Sequence, residues 1–192
     1  MGRKKSYDEE DVLEKAMFLF WRKGHQAVST RDLADEMGIN QYSLYASFES
    51  KDVLFEKTLE RYLSDVVEKV FIEPLLDPVD GLAAIRSYFE IFVAPGSGKF
   101  PTGCFICNTM AEEENPTAAV QKIIDRYQTK IADALASALR QAYPKAKNPI
   151  IQAKASLLLC VMLGIAVKKR NGFQGQPVQE IVEQIMDFVT IK

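Results

Sequence analysis

Residues 29–48 read STRDLADEMGINQYSLYASF. Ser29 followed by Asp32 has the pattern of a helix-capping pair, in which each side chain satisfies the other residue's backbone N–H. Leu33, Ala34 and Met37 recur at helical spacing and form one apolar face. Gly38 stops this helix, since glycine enters a left-handed turn at little steric cost. Asn40 is placed to cap a second short helix whose inner residues are Leu44 and Phe48. Ile39 is suited to plug the angle between the two helices, and the small Ala34 lets them approach. Helix, tight turn, helix is the pattern of a helix-turn-helix. The plain alternative is a helical hairpin within a bundle.

The outward side of the second helix carries Gln41, Tyr42, Ser43, Tyr45, Ala46 and Ser47. In a docked helix-turn-helix, the N-terminal residues of the second helix meet base edges in the major groove. Gln41 suits bidentate reading of adenine, Arg31 suits guanine, and Ala46 suits a thymine methyl. Ser43 and Tyr45 suit phosphate or base contacts. Lys51 falls in the first turn of the next helix, where free backbone N–H groups also favour phosphate. A basic arm, Arg3-Lys4-Lys5, adds attraction for a nucleic-acid backbone.

Helix signals continue in both directions, and no convincing strand alternation appears. Ser6 with Glu9 resembles a capping box, and Val12, Leu13, Ala16, Met17 and Phe20 give a first helix that ends at Gly24. Ser50 caps a fourth helix with Val53, Leu54, Leu59, Leu63 and Val67 on its apolar positions. Further starts are marked by a polar residue before proline: Asp77-Pro78, Asn115-Pro116, Asn148-Pro149 and Gln176-Pro177. The expectation is an all-α chain of about nine helices. A head spanning 6–66 is followed by a C-terminal domain spanning 67–192, the break falling along the fourth helix near 66–73.

Charge restricts the possibilities. The 192 residues carry 24 Lys and Arg against 26 Asp and Glu, a net charge of −2. Residues 1–66 alone hold ten basic and thirteen acidic residues. Nucleic-acid binding must therefore rest on local placement and not on a basic field. No signal peptide follows the basic start, and the apolar run Leu157 to Val167 is too short for a membrane span. Three cysteines, Cys104, Cys107 and Cys160, argue against a disulfide framework and for a reducing cytoplasm. With one histidine, no Gly-rich phosphate loop and no carboxylate-histidine cluster, no cofactor, metal or enzymatic activity is expected.

The C-terminal domain offers two features. The run Leu157 to Val167 is apolar almost all round, and Val178, Ile181, Val182, Ile185, Met186 and Val189 form a stripe on the last helix. Leu157, Val161, Ile165, Ile181, Ile185 and Met186 are the candidates for a dimer interface. A monomeric core is the alternative. Tyr88, Phe89, Phe92, Phe105, Met110 and Tyr127 are the candidates for an apolar effector pocket, with ordinary core as the alternative. Within GCFIC, Cys104 and Cys107 face roughly the same way on a helix. A thioredoxin-type motif needs a preceding strand, which the loop Ala94 to Gly103 does not suggest.

The residues Val12, Ala16, Leu19-Phe20, Gly24, Ser29 to Ala34, Gly38-Ile39, Leu44-Tyr45, Phe48, Ser50 to Asp52 and Leu54 together resemble the TetR family of transcriptional regulators. The resemblance covers about residues 8–55. It implies a homodimer on palindromic double-stranded operator DNA, a nine- or ten-helix fold, and repression relieved by a small ligand. It also implies phosphate contacts by Thr30, Tyr45 and Lys51 and base contacts by Arg31 and Gln41. His25 stands where the family usually has an aromatic residue, and Ala46 and Ser47 where bulkier ones are frequent. Residues Thr102 to Glu113 resemble a Gly-Cys motif of one family branch, some members of which sense oxidants or electrophiles by cysteine. Cys104 is then a candidate sensor, acidified by a helix N-terminus, or else a small buried hydrophobe. Two other readings are a thiol oxidoreductase and a helical interaction module without DNA binding.

Overall fold

The computed structural model describes residues 7–94, 101–172 and 178–190. Among these the chain forms nine helices and no strand: α1 (Glu9–Lys23), α2 (Thr30–Met37), α3 (Gln41–Phe48), α4, α5 (Gly81–Val93), α6 (Phe105–Glu112), α7 (Ala118–Ala142), α8 (Asn148–Arg170) and α9 (Val178–Val189). Helix α4 is continuous but changes pitch. It is α-helical over Lys51–Tyr62, π-helical over Leu63–Ile72 and α-helical again over Glu73–Leu76. The looser segment covers most of the stretch where the domain break is expected.

The caps explain most boundaries. Ser29 and Asp32 form the reciprocal box, with Ser29 N donating to Asp32 at 2.9 Å and Asp32 N donating to Ser29 Oγ at 3.1 Å. Asn40 and Ser50 accept from Ser43 N and Val53 N at 2.8 and 3.1 Å. Gly38 has φ 71°, the left-handed geometry that ends α2. At α1 the capping oxygen comes from Asp8, which accepts from Glu10 N; Ser6 lies outside the described residues. The proline starts need correction. Asp80 and Thr117 cap α5 and α7, so Asp77-Pro78 and Asn115-Pro116 precede the caps and only lead into them. Each later side chain has an oxygen that reaches an N–H in the first turn, which settles the start. Pro149 does sit in the first turn of α8, while Gln176-Pro177 lies outside the described residues.

The head, α1 to α3 with the start of α4, packs around Phe20, Leu33, Leu44, Phe48, Leu54 and Leu59, all essentially solvent-free. It shares its core with the rest of the chain. Trp21 meets Tyr62 edge-on at 4.9 Å and Phe105 at 6.1 Å, and Phe105 meets Phe55 and Tyr62 at 5.8 Å each. Such pairs are worth about 0.5–1.5 kcal/mol each beyond their burial. Below this junction α7 and α8 form the long pair of the body, with α5 and α9 packed beside them.

Helix α8 has 23 residues and is long and apolar enough, by length and composition, to cross a membrane. The apolar run seen in the sequence is only part of it. One face, with Ile151, Ala155, Leu158, Met162 and Ala166, is buried in the body. The other carries Leu157 in the open and Val161 and Ile165 half-buried. Beside it α9 leaves Ile181 half-buried and Phe188 exposed. Of the interface candidates, Met186 is instead buried in the chain's own core, and Ile185 is almost covered on the wall of the α8–α9 groove. Phe188, four residues after Gln184 and stacked under the Lys154 ammonium at 4.8 Å, takes the outer place on α9.

Gly81 is held against α7. A Cβ there would run into the carbonyl oxygen of Ala138, and its N–H donates to Gln141 at 2.6 Å. Gly81→Ala should destabilise the fold by about 1–3 kcal/mol through overpacking, read as a lower urea midpoint with an unchanged slope.

Candidate functional site

Two sites emerge, one on the head and one between head and body. On the head, the complete burial of Leu44 and Phe48 fixes the rotation of α3. Gln41, Tyr42, Tyr45 and Ala46 are thereby turned to solvent, Tyr42 at 84% exposure. Ser43 and Ser47 lie on the flank and are half-buried. The Tyr7 hydroxyl hydrogen-bonds Ser47 Oγ and donates to the Ser43 carbonyl at 3.4 Å. Ser47 is thus tied down from α1's approach and is not free on the outer face, contrary to expectation. Tyr7 precedes the first helix and carried no signal of this role.

Thr30 is the first residue of α2, half-buried. Arg31 extends from the same end with its side chain 85% exposed, its Nε 3.9 Å from Asp35. Lys51 behaves differently from the expected free phosphate ligand. Its Nζ donates to the carbonyls of His25 and Val28, at 3.1 Å each. Two of its three hydrogens are spent holding the α1–α2 turn onto α4, where those carbonyls have few other partners. The arm Arg3-Lys4-Lys5 lies outside the described residues.

The second site is a cavity of about 390 Å³ between α1, α4, α5 and the approach to α6. Trp21, Tyr62, Phe71, Phe92, Cys104 and Lys169 are among its walls. Of the eight effector candidates only Phe92 and Cys104 reach it. Tyr88 opens to a shallow groove elsewhere on α5, and Phe89 is pure core. Phe105 belongs to the aromatic junction, Met110 is half-buried beside Gln128, and Tyr127 and Cys107 lie behind Cys104. The sequence showed aromatic residues at helical spacing but not which side of α5 faces empty space. Trp21, on a helix assigned wholly to the head, was missed for the same reason.

Cys104 caps the N-terminus of α6 with φ −97° and ψ 130°. Burial alone would raise its pKa, but hydrogen bonds from Cys107, Tyr127 and Tyr62 and from the Cys107 backbone N–H bring it down to about 6. Cys107, which hydrogen-bonds Cys104 and is buried, is pushed well above the ordinary thiol range. Burial and the charge on Cys104 push Tyr62 and Tyr127 the same way. One thiolate thus sits among donors that keep their protons. Lys169 donates to the carbonyls of Phe92 and Ala94 at 2.8 and 2.7 Å, and burial lowers its pKa.

The far end of α6 grips the head. Glu113 Oε1 lies 3.0 Å from His25 Nδ1, and its Oε2 accepts from Gln26 at 3.2 Å. Asp52 lies 2.9 Å from His25 Nε2, and the ring stacks on Phe55 at 4.4 Å. His25 therefore fills an aromatic's place and adds two polar contacts. Glu112 pairs with Arg170, which also donates to the Asn108 carbonyl at 3.2 Å.

Residues 12–58 match the family model of bacterial regulatory proteins of the tetR family. The HTH-type transcriptional repressor ComR of Escherichia coli is 28% identical over 94% of this chain and 88% of its own length. Residues 12–58 are thus a TetR-type helix-turn-helix head, and the chain as a whole is similar to TetR-type repressors. The HTH-type transcriptional repressor BdcR of Escherichia coli is 42% identical over 32% of each chain. Among solved structures, a cysteine-substituted TetR family regulator CifR on 26-base-pair operator DNA superimposes with a TM-score of 0.83 at 22% identity, covering 97% of this chain and 98% of that one. Reduced NemR of Escherichia coli gives 0.75 at 18% identity, covering 94% of each. At those identities the superpositions speak for the fold. The TetR-type head and the transcriptional repressors among its relatives favour a DNA-binding regulator over the thiol oxidoreductase reading.

Alkylation of Cys104 by iodoacetamide should rise with pH to half its limiting rate at about pH 6. Tyr127→Phe removes a donor to the thiolate and should move that midpoint upward. A midpoint at the value of a free thiol in the wild-type chain contradicts the assignment.

Proposed function

We propose that this protein is a TetR-family regulator, a homodimeric repressor that binds a palindromic operator and releases it when an oxidant or electrophile reaches Cys104. The observation that carries the DNA-binding part is the outer face of α3, where Gln41, Tyr42, Tyr45 and Ala46 stand in solvent on a helix locked by Leu44 and Phe48. An eight-residue helix exposing polar and aromatic side chains at its N-terminal half has the form that enters a major groove. Thr30 and Arg31 at the start of α2 complete the set, and the exposed Tyr45 is assigned to phosphate. Described residues 7–66 hold seven basic and thirteen acidic side chains, so these few contacts must supply the affinity.

One head reads one half-site, and a two-fold dimer places two heads about 34–36 Å apart along the duplex. The apolar outer side of α8, continuous with the groove along α9, favours a second copy as its cover. We assign Leu157, Val161, Ile165, Ile181 and Phe188 to that contact. A helix so covered also accounts for the membrane-like composition of α8, and a DNA-binding role places the protein in the cytoplasm. The signal part is supported by the Cys104 thiolate in a cavity wall that also includes Trp21 of the head. Small soft electrophiles and peroxides react with thiolates, not thiols.

Tyr45→Ala should weaken operator binding at least about tenfold, roughly 1.4 kcal/mol, in fluorescence anisotropy. The dimer mass by light scattering should not change. Undiminished affinity would contradict the docking.

A further inference from the structure

Cys104 and Cys107 are both 4% exposed, yet they are not equivalent. Cys104 is part of the cavity wall, and Cys107 is not. The Tyr127 hydroxyl lies 3.5 Å from Cys104 Sγ and 3.4 Å from Cys107 Sγ, so one phenol touches both sulfurs. Cys104 is the extended cap residue of α6, and Cys107 follows in its first turn. The two sulfurs hydrogen-bond each other, and because Cys104 has extended backbone just outside the helix, closing a disulfide needs only a local rearrangement of the first turn. A reactive sulfur at the cavity and a second sulfur directly behind it is the arrangement of an attacking and a resolving cysteine.

Building on the proposal that Cys104 receives the signal, we infer that Cys104 and Cys107 form a reversible dithiol–disulfide switch oxidised by hydrogen peroxide. The Cys104 thiolate attacks one peroxide oxygen. An S–O bond forms, the O–O bond breaks, and hydroxide leaves and takes a proton to become water. Cys104 is then a sulfenic acid. The Cys107 sulfur attacks the Cys104 sulfur, an S–S bond forms and the S–O bond breaks. The departing hydroxyl leaves as a second water with the Cys107 proton. Two thiols lose two electrons and one peroxide gains them. A dithiol reductant reverses the exchange. The proton held by Cys107 at rest keeps that sulfur passive until Cys104 has reacted.

The consequence follows from the length of α6. The cross-link joins the cap to the first turn of an eight-residue helix, and the other end of that helix carries Glu112 and Glu113. Those carboxylates hold Arg170 of α8 and the His25–Gln26 turn of the head. Reshaping the first turn shifts the carboxylates and frees the head from the setting that fits the operator.

The test compares the wild-type dimer with Cys104→Ser and with Cys107→Ala, which keeps an apolar group in the buried position. Each is treated with hydrogen peroxide, then with dithiothreitol, and followed by operator affinity and non-reducing peptide mass mapping. A separate arm uses N-ethylmaleimide. The wild type should lose about tenfold or more in affinity, show a Cys104–Cys107 cross-linked peptide, and recover fully with dithiothreitol. Cys107→Ala should yield a Cys104 sulfenic acid trapped by dimedone, passing on longer exposure to a form that dithiothreitol does not restore. Loss of affinity without a cross-link, a cross-link without loss of affinity, or full recovery by Cys107→Ala after prolonged exposure would overturn the switch. If N-ethylmaleimide still releases the wild type but not Cys104→Ser, the sensing role of Cys104 survives such a failure. If neither reagent changes affinity, that role falls as well.

Discussion

The contact on which the rest depends is the meeting of Trp21, Phe55, Tyr62 and Phe105. Trp21 comes from α1, Phe55 and Tyr62 from α4, and Phe105 from the first position of α6. Helix-turn-helix heads are small, and a three-helix unit buries little apolar surface by itself. Here the head completes its core with a ring donated by the body. The orientation of α3 is therefore not set by the head alone. It depends on where α6 lies.

That dependence gives the cysteine site a route to the DNA face. Helix α6 touches the cavity at its cap and the α1–α2 turn at its end, and Phe105 enters the aromatic junction between them. Lys51 closes the circuit by tying the same turn to α4. A chemical event at Cys104 need not travel through a long chain of contacts. It acts on a two-turn helix whose two ends serve different sites. Release requires only that the modified state favour a head setting incompatible with the operator, and a bias of a few kcal/mol shifts most of the population. The π-helical segment of α4 lies beside the cavity, with Val66, Val70 and Phe71 at its wall. Its looser pitch is a natural place for the head and body to move relative to one another.

The fold was largely legible because the caps are chemically explicit. Ser29 with Asp32, Gly38, Asn40 and Ser50 each satisfy or terminate backbone groups by local rules, and those rules hold regardless of tertiary context. At Asp77-Pro78 and Asn115-Pro116 the proline signal fell short of the true starts, which are set by Asp80 and Thr117, whose side-chain oxygens reach the first turn. The sites were less legible. Periodicity identifies which residues are apolar, and so it grouped Phe89, Phe92 and Phe105 together. It does not say that only Phe92 borders empty space, since that depends on α1 and α4 passing nearby. Lys51 and Ser47 suited DNA by type and position, but carbonyls 23 and 26 residues away claim the first and Tyr7 claims the second. Glu113 and His25, 88 positions apart, meet only in three dimensions. Cys104 was visible through its motif, and the depth of Cys107 behind it was not.

Coupling of the cysteine cavity to the DNA-binding head through α6 can be read directly. Amide hydrogen exchange of the dimer before and after alkylation of Cys104 measures that coupling without DNA present. Alkylation should speed exchange in the α1–α2 turn, residues 24–29, together with α6. Exchange that changes only within residues 101–113, with the head turn unaltered, would contradict this coupling.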